Sequence, residues 1–300
     1  MDASTTRRVY AGTLRGEFGW PASRKGSRAM RASHEIMANG LRIHYVRTGG
    51  YPPLPVLTHG ATDSGACWGR VAAALAIRYD VIAADTRGHG QTDAPDGDDS
   101  RAEMAADLAS VLGALVLDRP IVAGHSMDAA TVLTMIATHP EIACATVLGD
   151  PGSRLEGGDG ARMVARCARM RDEHAQRQAM SHAEVVVAGK AANPLWHDDD
   201  FDAWAEAKQR ISPQFLAPTN VPPTPDWRSQ LPHVIGPVLL IRADSAPLGN
   251  SAVTAESATV AQRLCPTLEV AHVPGAGHNV RREQFSASMV AVVPFLARHA

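Results

Sequence analysis

The stretch Gly124-His125-Ser126-Met127-Asp128 sets a serine between a short apolar run, Ile121-Val122-Ala123, and the helix-forming run Ala129-Ala130-Thr131-Val132-Leu133. A strand, a tight turn centred on Ser and a helix make a nucleophile elbow, which lifts the hydroxyl above a sheet and aims a helix N-terminus at it. A serine hydroxyl is a weak nucleophile near neutral pH until a base takes its proton, so Ser126 predicts acyl chemistry only where a base comes to meet it. The purely structural role open to Ser126 is that of a helix N-cap. Other chemistries find few residues: the 13 histidines include no His-Glu-x-x-His or similar metal cluster, and no phosphate-binding loop is present. No metal and no cofactor is expected.

The elements that must hold such an elbow can be read outward from it. From His34 onward, short β-branched runs alternate with longer amphipathic stretches, which predicts an α/β fold with a doubly wound, mainly parallel sheet. Asn39-Gly40 between His34–Ala38 and Leu41–Arg47 predicts an opening antiparallel hairpin. Buried strands are expected at Pro55–Thr58, Val81–Ala84, Pro120–Ala123, Ala145–Leu148, Val238–Ile241 and Leu268–Val273. Apolar residues at three- and four-residue spacing predict helices at Cys67–Ile77, Arg101–Leu117, Met127–Thr138, Ala255–Leu264 and Arg282–Arg298.

Between Asp150 and Pro237 the alternation stops. Ala161–Gly189 reads as one long or two shorter helices, Asp199–Ile211 as a further helix, and the proline-rich stretch Pro213–Pro232 as an irregular return path. Residues 34–150 and 237–300 are therefore expected to form one core, with 151–236 a helical cap insertion. The insertion's aromatic residues, Trp196, Phe201, Trp204, Phe215 and Trp227, either line a pocket or dock the helices. Residues 1–33 carry Arg7, Arg8, Arg15, Arg24, Lys25, Arg28 and Arg31 among Gly, Ser and Pro, and read as a disordered arm or as the product of a start annotated upstream of Met30 or Met37.

Over about Ile36 to Arg298, the sequence resembles the α/β-hydrolase superfamily, on several motifs in that family's order. Thr58-His59-Gly60-Ala61-Thr62 looks like the family's His-Gly turn carrying half of the oxyanion hole. Asp85-Thr86-Arg87-Gly88-His89-Gly90-Gln91-Thr92 is similar to its Asp-x-x-Gly-x-Gly-x-Ser loop, and Pro274-Gly275-Ala276-Gly277-His278 ends where the family carries its catalytic base. The resemblance implies Ser126 as nucleophile, His278 as general base and then acid, and the backbone N–H groups of Ala61 and Met127 as oxyanion donors. It implies Asp244, after Val238-Leu239-Leu240-Ile241-Arg242-Ala243, as the acid, with Asp150, after Val147-Leu148-Gly149, as the alternative. His59, Gly60, Trp68, His125, Asp128, Trp196 and Trp204 are candidate pocket residues.

One position departs from the pattern. The family's elbow closes with Gly or another small residue, and here that residue is Asp128. A carboxylate suits the positive end of a helix, yet facing an oxyanion hole it would oppose the developing charge. The expected function is a cofactor-free serine hydrolase of an ester, a lactone or a related acyl bond; Asp128 keeps open a non-hydrolytic isomerase, epimerase or lyase on the same fold. Serine at the elbow argues against the family's dehalogenases and epoxide hydrolases, which use Asp there. Tyr10, Tyr45, Tyr51 and Tyr79 all precede the insertion, which weakens the epoxide reading further.

The 29 basic and 31 acidic residues leave a formal charge of -2, which offers no broad surface to nucleic acid or anionic lipid. A neutral or small organic substrate is expected. Cys67, Cys144, Cys167 and Cys265 are irregularly spaced and read as free thiols of a reducing compartment, and no apolar run is long enough to span a membrane. A cytoplasmic location follows as the expectation.

Overall fold

The computed structural model describes residues 32–50, 55–96, 99–152, 160–217, 226–244 and 251–300. In chain order the elements are β1 (Ala32–Ala38), β2 (Leu41–Arg47), β3 (Pro55–Thr58), α1 (Gly69–Leu75), β4 (Ile82–Ala84), α2 (Arg101–Ala114), β5 (Ile121–His125), α3 (Met127–Thr138) and β6 (Ala145–Gly149). There follow α4 (Gly160–Gln178), α5 (His182–Ala192), α6 (Phe201–Arg210) and the short α7 (Trp227–Gln230). The chain ends with β7 (Val238–Arg242), α8 (Ala255–Leu264), β8 (Leu268–His272), α9 (Val280–Glu283) and α10 (Phe285–His299).

The eight strands form one sheet in the order β1-β2-β4-β3-β5-β6-β7-β8. Asn39 (φ 47°) and Gly40 (φ 75°) both take the left-handed backbone that a tight hairpin turn demands, so β1 and β2 pair antiparallel from Ala32↔Arg47 to Ala38↔Leu41. β2 runs antiparallel to β4, and every later pairing is parallel.

Alternate residues of each strand feed opposite faces, which divides the core in two. Val56, Ile82, Val122, Leu148 and Leu240 pack with α2, α3 and α8, whereas Leu57, Ala83, Ala123, Val147 and Leu239 pack with α1 and α10. Helices on both faces bury a sheet whose strands read as continuous apolar runs, as a parallel sheet requires. The site-bearing loops leave the C-terminal ends of β3, β5, β6 and β8.

The predicted elements are matched with local differences. Ala161–Gly189 is two helices, because Ser181 and Glu184 form a reciprocal capping box that starts α5 afresh. The helix expected at Arg282–Arg298 is broken at Gln284 (φ -131°, ψ 60°), which separates α9 from α10. Trp227 packs into the main core rather than lining a pocket. Val185, Phe201, Trp204, Ala205 and Ala207 form a small core of their own together with Cys67. Ala32 and Ser33, assigned by sequence to the N-terminal arm, already belong to β1; the rest of that arm lies outside the described residues.

Candidate active site

Ser126 has φ 52° and ψ -111°, a backbone strain worth about 1–3 kcal/mol in a non-glycine residue. Three backbone bonds hold it: Ser126 N–H donates to Gly149 O (2.9 Å), and Gly152 N–H (2.8 Å) and Ala130 N–H (3.3 Å) donate to Ser126 O. The turn is sharp enough that a Cβ at Gly124 would lie 2.5 Å from Asp128 O and 2.7 Å from Ala129 N, so only glycine lets α3 start against β5. The Ser126 hydroxyl makes no helix-capping bond. It lies 2.7 Å from His278 Nε2 instead.

His278 Nδ1 lies 2.6 Å from Asp150 Oδ2. Asp150 is fully buried, and its carboxylate also accepts from Ser251 Oγ (2.8 Å), Ala252 N–H (3.0 Å) and Val253 N–H (3.2 Å). A carboxylate at Nδ1 fixes the proton there and leaves the Nε2 lone pair facing the hydroxyl. The loop carrying His278 is braced on three sides. His125 Nε2 donates to His278 O (2.9 Å), and Glu283 accepts from the N–H groups of Gly277 and Asn279 on either side of His278.

Asp244, the acid expected first, does not reach His278. Its carboxylate accepts from His272 Nε2 (2.5 Å) and Gly275 N–H (2.8 Å), and these two bonds, led by Gly275, hold its pKa below the usual carboxylate range. The difference between the two acids lies in the backbone. Asp150 leaves β6 at φ 41° into the buried space beneath His278, whereas Asp244 stays partly exposed and braces the start of the same loop.

The turn after β3 presents Gly60 and Ala61 to the cavity above Ser126. Thr62 follows at φ 64°, an unusual conformation for a β-branched residue. Its N–H donates to His89 Nε2 (3.2 Å), and Lys208 Nζ from α6 donates to Thr62 O (2.9 Å), Thr62 Oγ1 (2.6 Å) and Asp63 Oδ1 (2.9 Å). Met127 opens α3, so its amide lies outside the helix's own ladder.

Three of the candidate pocket residues lie elsewhere. His59 is buried behind the turn, bonded through Nδ1 to Gly60 O (2.9 Å), with Nε2 accepting from Thr86 N–H (3.0 Å). His89 beside it is driven to a pKa of about 3 by burial and by His59, which makes it a neutral brace. Trp68 packs in the core on the α1 and α10 face of the sheet, with Arg281 over its ring. Asp128 turns away from the cavity, where it accepts from Thr86 Oγ1 (2.6 Å) and Thr131 Oγ1 (3.4 Å); burial raises its pKa against the pull of His59, Thr86 and Arg101.

The cavity has a volume of about 480 Å³ and lies between the strand ends and helices α4 to α6. Gly60, His125, Trp196 and Trp204 line it, together with Ser126 and His278. The sequence reading missed its charges: Arg166, Arg177, Lys208 and Arg282 line it, with Asp63. Burial opposes ionisation of Asp63, but Arg282, Lys208 and Arg281 overcome it and hold the pKa well below normal. One signal was available, since Asp63 lies two residues past Ala61 and Arg281-Arg282 follow His278 by three and four. Among the described residues no group of His, Cys, Asp and Glu could hold a metal ion, and no helix is long and apolar enough to cross a membrane.

The model of the alpha/beta hydrolase family matches residues 56–290. The chain belongs to that family. Two curated relatives within it are each 28% identical to the chain. One, the 2-(acetamidomethylene)succinate hydrolase of Mesorhizobium japonicum, aligns over 263 residues, 84% of this chain and 90% of its own. The other, the N-formylmaleamate deformylase of Pseudomonas putida, aligns over 270 residues, 88% of this chain and 96% of its own. Among solved structures, the enol-lactonase from Burkholderia xenovorans matches with a TM-score of 0.66 at 22% identity, over 88% of this chain and all of that one, a likeness of fold. The relatives are hydrolases, which supports an enzyme of this family acting on small molecules.

Proposed function

We propose that the chain is a serine hydrolase that cleaves an acyl bond of a small organic molecule. The observation that carries this reading is the unbroken chain from Asp150 through His278 to the Ser126 hydroxyl, at 2.6 Å and 2.7 Å. Ser126 Oγ attacks the acyl carbon while its proton passes to His278 Nε2, and Asp150 holds the tautomer and offsets the imidazolium charge. The N–H groups of Ala61 and Met127 receive the oxyanion. His278 then gives its proton to the leaving group, and a water molecule repeats the cycle on the acyl-enzyme with His278 again as base, releasing the acid and restoring Ser126.

The bonds open to such a site include those of esters and lactones. The names of the two relatives describe N-acyl compounds, an acetamido and a formyl derivative, so N-acyl bonds join that set. The non-hydrolytic reading loses its main support, because Asp128 is not among the residues that line the cavity. The test is turnover of a panel of small esters, lactones and formamides by the wild type and by Ser126→Ala. The substitution should cost at least about a thousandfold in kcat on every substrate accepted. Turnover near the wild-type rate in a folded Ser126→Ala variant would overturn the reading.

A further inference from the structure

Around Asp63 the cavity wall gathers more positive charge than this one carboxylate answers. Asp63 is the one carboxylate lining it among the described residues, and three cations share it: Lys208 at 2.9 Å, Arg282 at 3.0 Å and Arg281 at 3.2 Å. All four side chains are buried. The nearby Asp200 is bonded to Arg70 (3.0 Å). Arg177 of α4 also lines the cavity, where it pairs with Glu173 (3.1 Å) and so adds little to the surplus.

These groups are held in place and their hydrogen-bonding capacity is unequally used. Lys208 commits its three protons to Thr62 and Asp63, so it acts on the cavity as a fixed point charge. Arg282 stacks over Trp196 (4.4 Å) and Arg281 over Trp68 (4.3 Å), which fixes both guanidinium planes. Nε of Arg282, and Nε and Nη1 of Arg281, have no hydrogen-bond partner among the described residues. Burial, with Arg282 adding to it, lowers the Arg281 pKa to about 10, whereas Asp63 overcomes burial at Arg282 and keeps its pKa above the ordinary value, so the charge that Asp63 leaves unanswered falls behind Arg282, on Arg281. A buried cation lacking a counter-charge is costly, and a group that supplies the charge on binding recovers that cost.

We propose that this surplus forms an anion subsite centred on Arg282, and that the enzyme's substrate is a small acyl compound carrying a free carboxylate, bound there in the same cavity as Ser126. The assignment rests on the serine-hydrolase reading above only for the word acyl. The arginine fork of Arg282 makes the carboxylate contact, Lys208 supplies fixed charge, and Arg177 closes the site from α4. The whole-chain charge of -2 conceals this local excess.

The test compares two esters with one leaving group, mono-4-nitrophenyl adipate and its methyl ester, in which the carboxylate is neutralised. The free acid should be preferred in kcat/KM by about 10- to 100-fold, the range of a charge-assisted hydrogen bond. Arg282→Gln should bring the ratio close to one, Arg282→Lys should keep most of it, and Arg177→Gln should reduce it in part. Melting temperatures establish which variants are folded; if Arg282→Gln is not, the wild-type ratio and the Arg177→Gln variant still decide. Equal kcat/KM for the two esters in the wild type, or an unchanged ratio in folded Arg282→Gln, would overturn the subsite while leaving the hydrolase reading intact. Calorimetry of Ser126→Ala separates the converse case. Saturable binding of succinate but not of succinamide, with neither ester turned over by the wild type, would retain the subsite and reject the hydrolase.

Discussion

The Asp150 carboxylate lies 2.6 Å from His278 Nδ1, while Asp244, one strand further along the sheet, is bonded to His272. Both acids end a parallel strand and both support the loop that carries His278, but they do so differently. Asp150 touches the His278 ring itself, and Asp244 holds Gly275 at the loop's start, where φ is 74°.

Asp150→Asn should therefore lower kcat by about 10⁴-fold, through loss of the tautomer that leaves Nε2 free to accept a proton. Asp244→Asn should lower it by less than about tenfold, since it loosens a brace and leaves the base paired. Steady-state kinetics of the two variants on one substrate check the ranking. The opposite order would return the acid to Asp244.

How much of this was legible follows from the range of each determinant. The elbow at Ser126, the Asn39-Gly40 hairpin and the succession of strands and helices along the chain rest on local spacing, and they are read from the sequence with errors of a few residues. The choice between Asp150 and Asp244 rests on where a loop more than thirty residues from Asp244 delivers His278, and no local pattern encodes that. The charge of the cavity was hidden for the same reason, because Asp63, Lys208 and Arg282 are far apart in sequence and meet only in the fold.

Lys208 spans from α6 to the turn that carries Ala61, and it holds Thr62 in a left-handed conformation. Lys208→Met should let that turn relax and misplace the Ala61 N–H. We expect kcat on a neutral ester to fall by about 10- to 100-fold, with a smaller change in KM. The neutral ester matters, since it separates this effect from attraction of an anion. An unchanged kcat in the folded variant would show that the turn keeps its shape alone.

Burial raises the pKa of Asp128, so the folded chain keeps that proton to a higher pH than the unfolded chain does. Stability is then lost as pH rises from the ordinary carboxylate value, about 4, through the raised one. Asp128→Asn removes the loss. Its melting temperature should exceed that of the wild type at neutral pH, and the margin should shrink as the pH approaches about 4. Thermal unfolding across that range checks both the sign and the trend; a variant less stable at neutral pH would mean that the charged form of Asp128 is the favoured one.

Gly124→Ala tests the packing that produces the elbow. The added Cβ would meet Asp128 O at 2.5 Å, and both partners are backbone, so neither can swing aside. The cost should be about 1–3 kcal/mol or more, seen as a lower midpoint in denaturant unfolding, together with slower turnover as Ser126 shifts. Wild-type stability would contradict the close approach of α3 to β5.

The central claim is that His278 activates Ser126 under the control of Asp150. Labelling by a fluorophosphonate, followed over time by mass spectrometry of the intact protein and its peptides, measures that activation without any choice of substrate. One adduct should form on Ser126 in the wild type, none in Ser126→Ala, and labelling should be much slower in Asp150→Asn while Asp244→Asn reacts near the wild-type rate. Adduct formation elsewhere in the wild type, or undiminished labelling of folded Asp150→Asn, would contradict the account.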